Sequence, residues 1–217
     1  MYLVADNTLA QPRPVEPASF ERWSHFPVSE LSHHGQVCCE AARHWFRGMD
    51  FAQLNSGGIM SGPRWIRKRY EWGPSPWPLH WCEALNSKVI DCGAHAALAH
   101  EAFKARGLTS FRAQFVQAYD KRAVDQWRTR WREDDVSDHW LGDGYIYHEG
   151  NALLVGQNEV KLWDGSAATW LNPNQTSGYG SVIAARLMAP MSAMDISHVT
   201  WGPHRLHFGE WRDLGSS

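Results

Sequence analysis

The sequence lacks a long hydrophobic run and a surplus of charge of either sign. Hydrophobic residues make up 43% of the 217 residues, but no run of eighteen apolar residues occurs, which argues against a transmembrane helix. The net charge of −2 argues against a strongly basic nucleic-acid binder and against a highly charged disordered chain. A chain of this length buries about 70% of its unfolded surface, so it needs no covalent or metal staple to fold. We therefore expect one domain over residues 1–217, with no membrane and no nucleic acid among its partners.

Cysteines and targeting signals are also scarce. Four cysteines in 217 residues are too few for a disulfide framework, and two of them, Cys38 and Cys39, are adjacent. The opening residues, MYLVADNTLAQPRPVEP, have no basic segment and no apolar stretch of signal-peptide length. These features predict reduced thiols and a cytoplasmic protein.

Two residue types are abundant instead: the chain has 13 tryptophans and 12 histidines. Tryptophan favours thick core layers, pocket walls or adhesive surfaces, and histidine favours acid–base or metal chemistry. The nitrogen and sulfur ligands of His33, His34, Cys38 and Cys39 lie within seven residues, which is a possible zinc spacing. The two cysteines point to different sides of a predicted helix, however, and no CxxC pair supports them. We therefore predict no metal and no other cofactor.

The first third of the chain is predicted to be helical and irregular. Residues 10–18 form a Pro-rich extended arm, and residues 36–47 have the apolar spacing of a helix. Residues 55–63 and 73–78 have the composition of loops. We assign residues 1–75 to an N-terminal helical and loop portion.

Residues 80–217 are assigned to a catalytic core. A helix is predicted from Cys92 to Arg106, with Asp91 as its N-cap and Gly107 as its end. A second, more charged helix is predicted over residues 121–133. The predicted strands lie at 111–119, 145–156 and 159–163, with a closing pair at 199–202 and 205–211. Residues 172–180 read as a loop, and residues 181–194 are apolar without a decisive period. A helix followed by several strands predicts an α+β fold with that helix packed on an antiparallel sheet.

The strongest chemical signal is an ordered trio of Cys92, His148 and Asp164. Cys92 starts the predicted helix. A helix N-terminus, a neighbouring imidazolium and partial exposure to solvent each lower the pKa of a thiol. The next residue, Gly93, lets the backbone approach a reacting group, and the Cys92 N–H is free to donate to an oxyanion. His148 lies in one predicted strand, and Asp164 ends the next, sixteen residues later. If these strands are antiparallel neighbours, the carboxylate orients the imidazole and the imidazole takes the thiol proton.

This order of residues resembles the transglutaminase-like superfamily of papain-fold cysteine enzymes. The resemblance covers about residues 80–172 and rests on DCGAHAALAHEAFKARG, YHEGNALLV and VKLWDGSAATWL. It implies a papain-like core in which Cys92 is the nucleophile, His148 the general base and acid, and Asp164 the orienting acid. The chain departs from common family patterns at His148-Glu149-Gly150 and at Asp164-Gly165, which leaves the substrate open.

The resemblance also implies an oxyanion-hole amide and an aromatic site wall. Asn86, six residues before Cys92, is the first candidate for the amide, and Gln36 is the second. Trp81 is the candidate for the wall. His139 is a rival to His148 as the base, whereas His95 and His100 are expected to be structural or solvent-facing.

The chemistry of the trio leaves the acceptor open, because hydrolysis and amide synthesis both pass through a thioester on Cys92. Some members of the superfamily form amides in natural-product pathways, as the condensing enzymes of lincosamide antibiotic assembly do, from a carrier-protein thioester and an amine. We expect amide formation of that kind, with a cysteine peptidase or amidase as the alternative. A catalytically inactive papain-like binding module is the alternative from another class. The basic segment Arg64–Arg69 is a candidate contact for an acidic carrier protein, or else a solvated face.

Overall fold

A computed structural model of the chain describes residues 31–32, 40, 61–73, 79–119, 125, 145–174, 181–188 and 196–214. The predicted arm at 10–18 lies outside the described residues, as do the helices at 36–47 and 121–133 except for the single helical residues Glu40 and Asp125. Most of the loops predicted at 55–63, 73–78 and 172–180 also lie outside them.

Three helices and twelve strands make up the described regular structure. The helices are α1 (Ser61–Arg69), α2 (Trp81–Asn86) and α3 (Cys92–Lys104). The strands are β1 (Leu31–Ser32), β2 (Glu71–Trp72), β3 (Leu79–His80), β4 (Val89–Ile90), β5 (Ser110–Ala118), β6 (Tyr145–Leu154), β7 (Val160–Asp164), β8 (Thr169–Trp170), β9 (Ser181–Met188), β10 (His198–Trp201), β11 (His204–His207) and β12 (Arg212–Asp213).

The central feature is a six-stranded antiparallel sheet in the order β12-β9-β5-β6-β7-β8. The β5 and β6 strands pair along nine residues, from Ser110 opposite Leu153 to Ala118 opposite Tyr145. The β6 and β7 strands pair from Asn151 opposite Trp163 onward. Three two-stranded pairs surround the sheet: β1 with β3, β2 with β4, and β10 with β11. The described residues therefore form an α+β fold.

Helix α3 begins at its predicted residue for a local reason. The Asp91 carboxylate accepts a hydrogen bond from the Ala94 N–H at 2.8 Å, which caps the first turn. The helix is buried along most of its length, because its small side chains allow close packing on neighbouring elements. It ends at Lys104, and Gly107 follows with a φ of 71°, a conformation that glycine adopts without strain.

Two apolar layers cover the two faces of the sheet. One layer lies where α1, α2 and α3 pack on the sheet, and it includes Ile66, Tyr70, Leu98, Phe103 and Trp163. The other lies between the sheet and the β10–β11 pair, and it includes Phe111, Phe115, Leu162, Val199 and Leu206. Across the first layer, the Asn151 side-chain amide donates to the Ala96 carbonyl of α3 at 3.0 Å. The helix that starts at Cys92 therefore sits on the face of an antiparallel sheet, as the sequence predicted.

Two segments differ from their sequence-based interpretation. Helix α1 begins at Ser61, inside the predicted loop over 55–63, because Pro63 falls in the first turn, where a missing N–H costs nothing. The ambiguous stretch 181–194 contains β9, an inner strand that is buried on both faces. Such a strand has no alternation of polar and apolar residues, so its period could not identify it.

Several tryptophans are explained by the core. Trp163 and Trp201 are buried in the two layers, and the Trp163 and Trp170 rings meet edge to face with 5.2 Å between centroids. Among the described helices, none is both long and apolar enough to cross a membrane.

Candidate active site

Cys92 occupies the first position of α3, directly after the capping residue. Its side chain is buried, with a relative exposure of 3%. The cap uses the N–H of Ala94, so the N–H groups of Cys92 and Gly93 are first-turn donors that have no acceptor within the helix. Backbone donors of this kind are suited to an oxyanion beside the sulfur.

Strands β6 and β7 bring His148 and Asp164 together. The two strands are antiparallel neighbours, and the His148 Nε2 atom lies 3.0 Å from Asp164 Oδ1. Phe115 of β5 also contacts the imidazole, and the two rings meet edge to face with 5.2 Å between centroids. The histidine is therefore fixed both by a carboxylate and by packing.

The Cys92 thiol completes the trio through a hydrogen bond to the His148 side chain. Because Asp164 holds Nε2, the ring nitrogen left for the thiol is Nδ1. The three side chains thus lie in the order thiol, imidazole and carboxylate. All three are at least 96% buried, with exposures of 3%, 4% and 4%.

The Asp164 carboxylate is stabilised in its charged form by four donors on one oxygen. Oδ1 accepts from the Ser166 N–H at 2.9 Å, the Ser166 hydroxyl at 2.7 Å and the Ala167 N–H at 3.1 Å, in addition to its contact with His148. Burial alone would raise the pKa of Asp164. The charge of His148 and these hydrogen bonds outweigh burial and lower the pKa to about 2.

Ser166 is a site residue that sequence reasoning missed. Its Oγ atom lies 3.1 Å from His148 Nε2 while donating to Asp164, so it contacts both partners of the ion pair. The signal was present as Asp164-Gly165-Ser166, since an aspartate commonly accepts from the backbone two residues later in a tight turn. The Ser166 hydroxyl therefore helps to hold Asp164 and His148 in place.

The electrostatics of the thiol differ from the sequence-based expectation. Burial opposes a charged imidazole, but the charges of Asp164 and Cys92 dominate and hold the pKa of His148 well above its usual value. Burial also raises the pKa of the Cys92 thiol, and the opposing effect of His148 only reduces that rise. The expectation of a lowered thiol pKa was wrong because Cys92 lacks the partial exposure that it assumed. Transfer of the thiol proton to His148 places the resulting thiolate beside the imidazolium that lowers its pKa.

The remaining predicted site residues lie in different places. Gly93 is in the first turn of α3, and its carbonyl accepts from Arg112 at 3.1 Å. Asn86 ends α2 with an exposed side chain, and its role as an oxyanion donor stays a prediction. Trp81 is buried in the layer below α3, and its role as a site wall also stays a prediction. Gln36 lies outside the described residues.

The rival histidines are separated from the thiol in different ways. His139 lies outside the described residues. His100 contacts the Ser110 hydroxyl at 2.7 Å, and burial lowers its pKa to about 4. His95, one turn after Cys92, is fully buried, and neither of its ring nitrogens has a hydrogen-bond partner. Burial and the charge of Arg67 lower the pKa of His95 to about 3, so it is neutral at physiological pH.

A row of buried polar residues runs along the face of the sheet that carries α3. The row is formed by alternate residues of the paired strands β5 and β6. In the register, Arg112 is opposite Asn151, Gln114 is opposite Glu149, and the apolar Val116 is opposite Tyr147. Contacts within the row link the guanidinium of Arg112 to Glu149 at 2.8 Å, the Tyr147 hydroxyl to Glu149 at 3.0 Å, and the Gln114 amide to Tyr147 at 2.5 Å. We call Arg112, Glu149, Tyr147 and Gln114 the polar row. Sequence reasoning did not identify it.

The site was also compared with metal-binding side-chain groups and the chain with known proteins. Within the described part of the chain, no three His, Cys, Asp or Glu side chains are grouped to hold a metal ion. The zinc-like set His33, His34, Cys38 and Cys39 lies outside the described residues. No family model matches the chain, and neither a curated protein nor a solved structure matches it.

Proposed function

We propose that this protein is a cysteine-dependent acyltransferase that forms an amide through a thioester on Cys92. The observation that supports the proposal is the buried row of thiol, imidazole and carboxylate, in which His148 contacts both Cys92 and Asp164. A thiol, a base and an orienting acid within hydrogen-bond reach form the minimal set for nucleophilic acyl transfer. The resemblance to transglutaminase-like enzymes points the same way.

In the first half-reaction, the thiol proton moves to His148 Nδ1 and the sulfur attacks the carbonyl carbon of an acyl donor. The carbonyl oxygen gains negative charge, and the N–H of Cys92 is positioned at the same helix end to stabilise it. Collapse of this intermediate breaks the bond to the leaving group, a thiolate when the donor is a thioester. That leaving group takes the proton from His148, which leaves the acyl group on Cys92.

In the second half-reaction, an amine attacks the acyl-Cys92 thioester. His148 accepts the proton that the nitrogen loses, the carbon–sulfur bond breaks, and the proton returns to the sulfur. Asp164 stays ionised throughout and stabilises the imidazolium in both halves. Water in place of the amine gives hydrolysis with the same groups, which is the peptidase or amidase alternative.

Burial favours the amine over water as the acceptor. The three reactive side chains are almost fully shielded, so bulk water would have little access to a thioester carbonyl on Cys92. A bound amine then competes with few water molecules. Burial of the nucleophile therefore favours condensation over hydrolysis.

The donor that we propose is an acyl group on an acidic carrier protein, and helix α1 supports this choice. Arg64, Arg67, Lys68 and Arg69 lie on α1, and within the described residues none of them pairs with a carboxylate. Arg69 instead lies over the rings of Trp65 and Tyr70, at 5.5 and 5.6 Å from their centroids. Helix α1 packs in the same apolar layer as α3, the helix that begins with the nucleophile. The cationic side chains of α1 therefore lie on the face of the sheet that carries Cys92.

The decisive experiment supplies a small acyl thioester with a set of amines and follows the products by mass spectrometry. We expect amide and an acyl adduct on Cys92. Cys92→Ala should lower turnover by about a thousandfold or more, and His148→Asn on top of it should add little, because the two act as a unit. Free acid outpacing amide at every amine concentration would replace condensation by hydrolysis. Unchanged function in Cys92→Ala would identify a non-catalytic binding module.

The carrier contact has its own test. Arg64→Glu and Lys68→Glu reverse exposed charges of α1, and Lys161→Glu reverses an exposed charge on β7 as the matched control. The α1 variants should raise KM for a carrier-bound thioester and leave KM for the same acyl group on a small neutral thiol unchanged. Equal effects of the α1 and β7 variants would remove α1 as the docking surface.

A further inference from the structure

One guanidinium joins the element that carries the nucleophile to the element that carries the base. A single nitrogen of Arg112, Nη2, donates to the Gly93 carbonyl at 3.1 Å and to Glu149 Oε2 at 2.8 Å. Gly93 follows Cys92 in α3, and Glu149 follows His148 in β6. The arginine therefore contacts the immediate chain neighbours of both reacting side chains.

Glu149 is itself held from a second direction. Its Oε1 atom accepts from the Tyr147 hydroxyl at 3.0 Å, and Gln114 donates in turn to that hydroxyl at 2.5 Å. Glu149 is 1% exposed and Gln114 is fully buried. Because both of its oxygens accept hydrogen bonds, the Glu149 carboxylate is held in one orientation. It in turn fixes the position of the Arg112 guanidinium.

The ion pair is shielded from solvent. The side-chain exposures of Arg112 and Glu149 are 12% and 2%. Buried charge pairs of this kind add little net stability compared with apolar residues of similar size, yet breaking one by removing a single partner is costly. Stability alone therefore gives a weak reason for a buried ion pair next to a reactive thiol.

We infer that Arg112 and Glu149 form a positioning brace that sets the distance between Cys92 and His148. The inference rests on the proposed function, because it assigns the brace to the alignment of that nucleophile and base. In this proposal neither side chain contacts the substrate, so both are positioning residues. An error of about 1 Å in such an alignment costs about 100-fold in rate.

The brace also balances charge beside the thiol. The groups whose charges act on Cys92 are His148, Asp91 and Glu149, and the Tyr147 hydroxyl interacts with it as well. From the neighbouring strand β9, the buried guanidinium of Arg186 acts on Glu149 and Tyr147 and is present in every variant compared below. The anionic Glu149 raises the pKa of the thiol, and Arg112 offsets that anion at 2.8 Å. Loss of Arg112 alone should therefore raise the pH at which Cys92 reacts, whereas loss of Glu149 alone should not.

The test compares Arg112→Met, Glu149→Gln and the double variant in the intact protein. Measured quantities are kcat and KM with a small acyl thioester and an amine, the pH midpoint of iodoacetamide labelling of Cys92, and Tm. Both single variants should lower kcat by about 100-fold and change KM less than threefold. Arg112→Met should raise the labelling midpoint, and Glu149→Gln should leave it equal or lower.

The double variant separates positioning from stability. It removes both buried charges, so Tm and the labelling midpoint should return toward wild-type values while kcat stays low. Recovery of kcat together with Tm would overturn the brace, as would wild-type kcat in either folded single variant. The controls are Lys104→Met and Glu101→Gln, which break an exposed ion pair of 3.1 Å on α3, the helix that begins at Cys92. Absence of turnover in the wild-type protein would count against the proposed function instead.

Discussion

His95 makes the fold sensitive to mild acid, and the size of that effect follows from its surroundings. The imidazole is fully buried one turn after Cys92, and neither ring nitrogen has a hydrogen-bond partner. Burial and the nearby charge of Arg67 lower its pKa from 6.5 to about 3. Lowering the pKa from 6.5 to about 3 corresponds to ~5 kcal/mol when the titration is complete.

The sign follows from which state binds the proton. Below pH 6.5 the unfolded chain protonates this histidine, whereas the folded chain does so only near pH 3. The free energy of unfolding should therefore fall as the pH drops from 6.5 toward 3, and His95 causes no loss above 6.5. At pH 4.5 the loss due to this one group is about 3 kcal/mol, or about 6–12 °C in Tm.

Urea unfolding of the wild type, His95→Leu and His95→Gln at pH 7.5 and 4.5 measures this effect. Leucine keeps a similar volume without titrating, and glutamine keeps polarity without titrating. Both variants should lose about 3 kcal/mol less than the wild type between the two pH values. His100, whose pKa is about 4, is present in all three proteins, so its contribution cancels. A difference between wild type and variants that is the same at both pH values would refute the reasoning.

Three further outcomes follow from the site and the sheet. Asp164→Asn should cost about 2 kcal/mol near neutral pH, because the pKa of the carboxyl falls from 3.8 to about 2. Chemical unfolding should show this cost vanish as the pH drops from 3.8 to 2, and turnover should fall about 100-fold or more. Gly150→Ala should lower stability in thermal unfolding by ~1–3 kcal/mol, because a Cβ there would clash with the backbone carbonyl of Trp163. Gly156→Ala, whose Cβ would have its nearest contact at 3.4 Å, should not. Turnover should rise with pH above 7 in a pH–rate profile, because the pKa of His148 is well above its usual value, and a maximum near pH 6 would contradict this.

Features that depend on neighbouring residues could be predicted from the sequence. The start of α3 follows from Asp91 three residues before the N–H that it caps, and its end follows from Gly107. The proximity of His148 and Asp164 followed from two consecutive strands, since strands joined by a short turn usually pair. Each of these inferences uses fewer than twenty residues of chain.

Features set by burial and by distant pairing could not be predicted. Arg112 and Glu149 are 37 residues apart, and their contact depends on the β5–β6 register, which no local pattern specifies. Strand β9 was ambiguous because both of its faces are covered. The pKa of Cys92 depends on how completely the surrounding elements exclude water, which the cap and the helix start do not reveal.

Burial and charge together explain why this thiol needs its neighbours. Around it, Asp164 is paired with His148 and Glu149 is paired with Arg112, while the Asp91 carboxylate caps the helix that begins at Cys92. A thiolate at Cys92 adds a further negative charge in a place where an uncompensated charge is costly. The cheapest way to form it is to move the thiol proton only as far as His148, so that the new anion appears beside the cation that balances it. A nucleophile formed in this way depends on the distance between sulfur and imidazole more strongly than an exposed thiolate does, which is why a brace on Gly93 and Glu149 bears on catalysis.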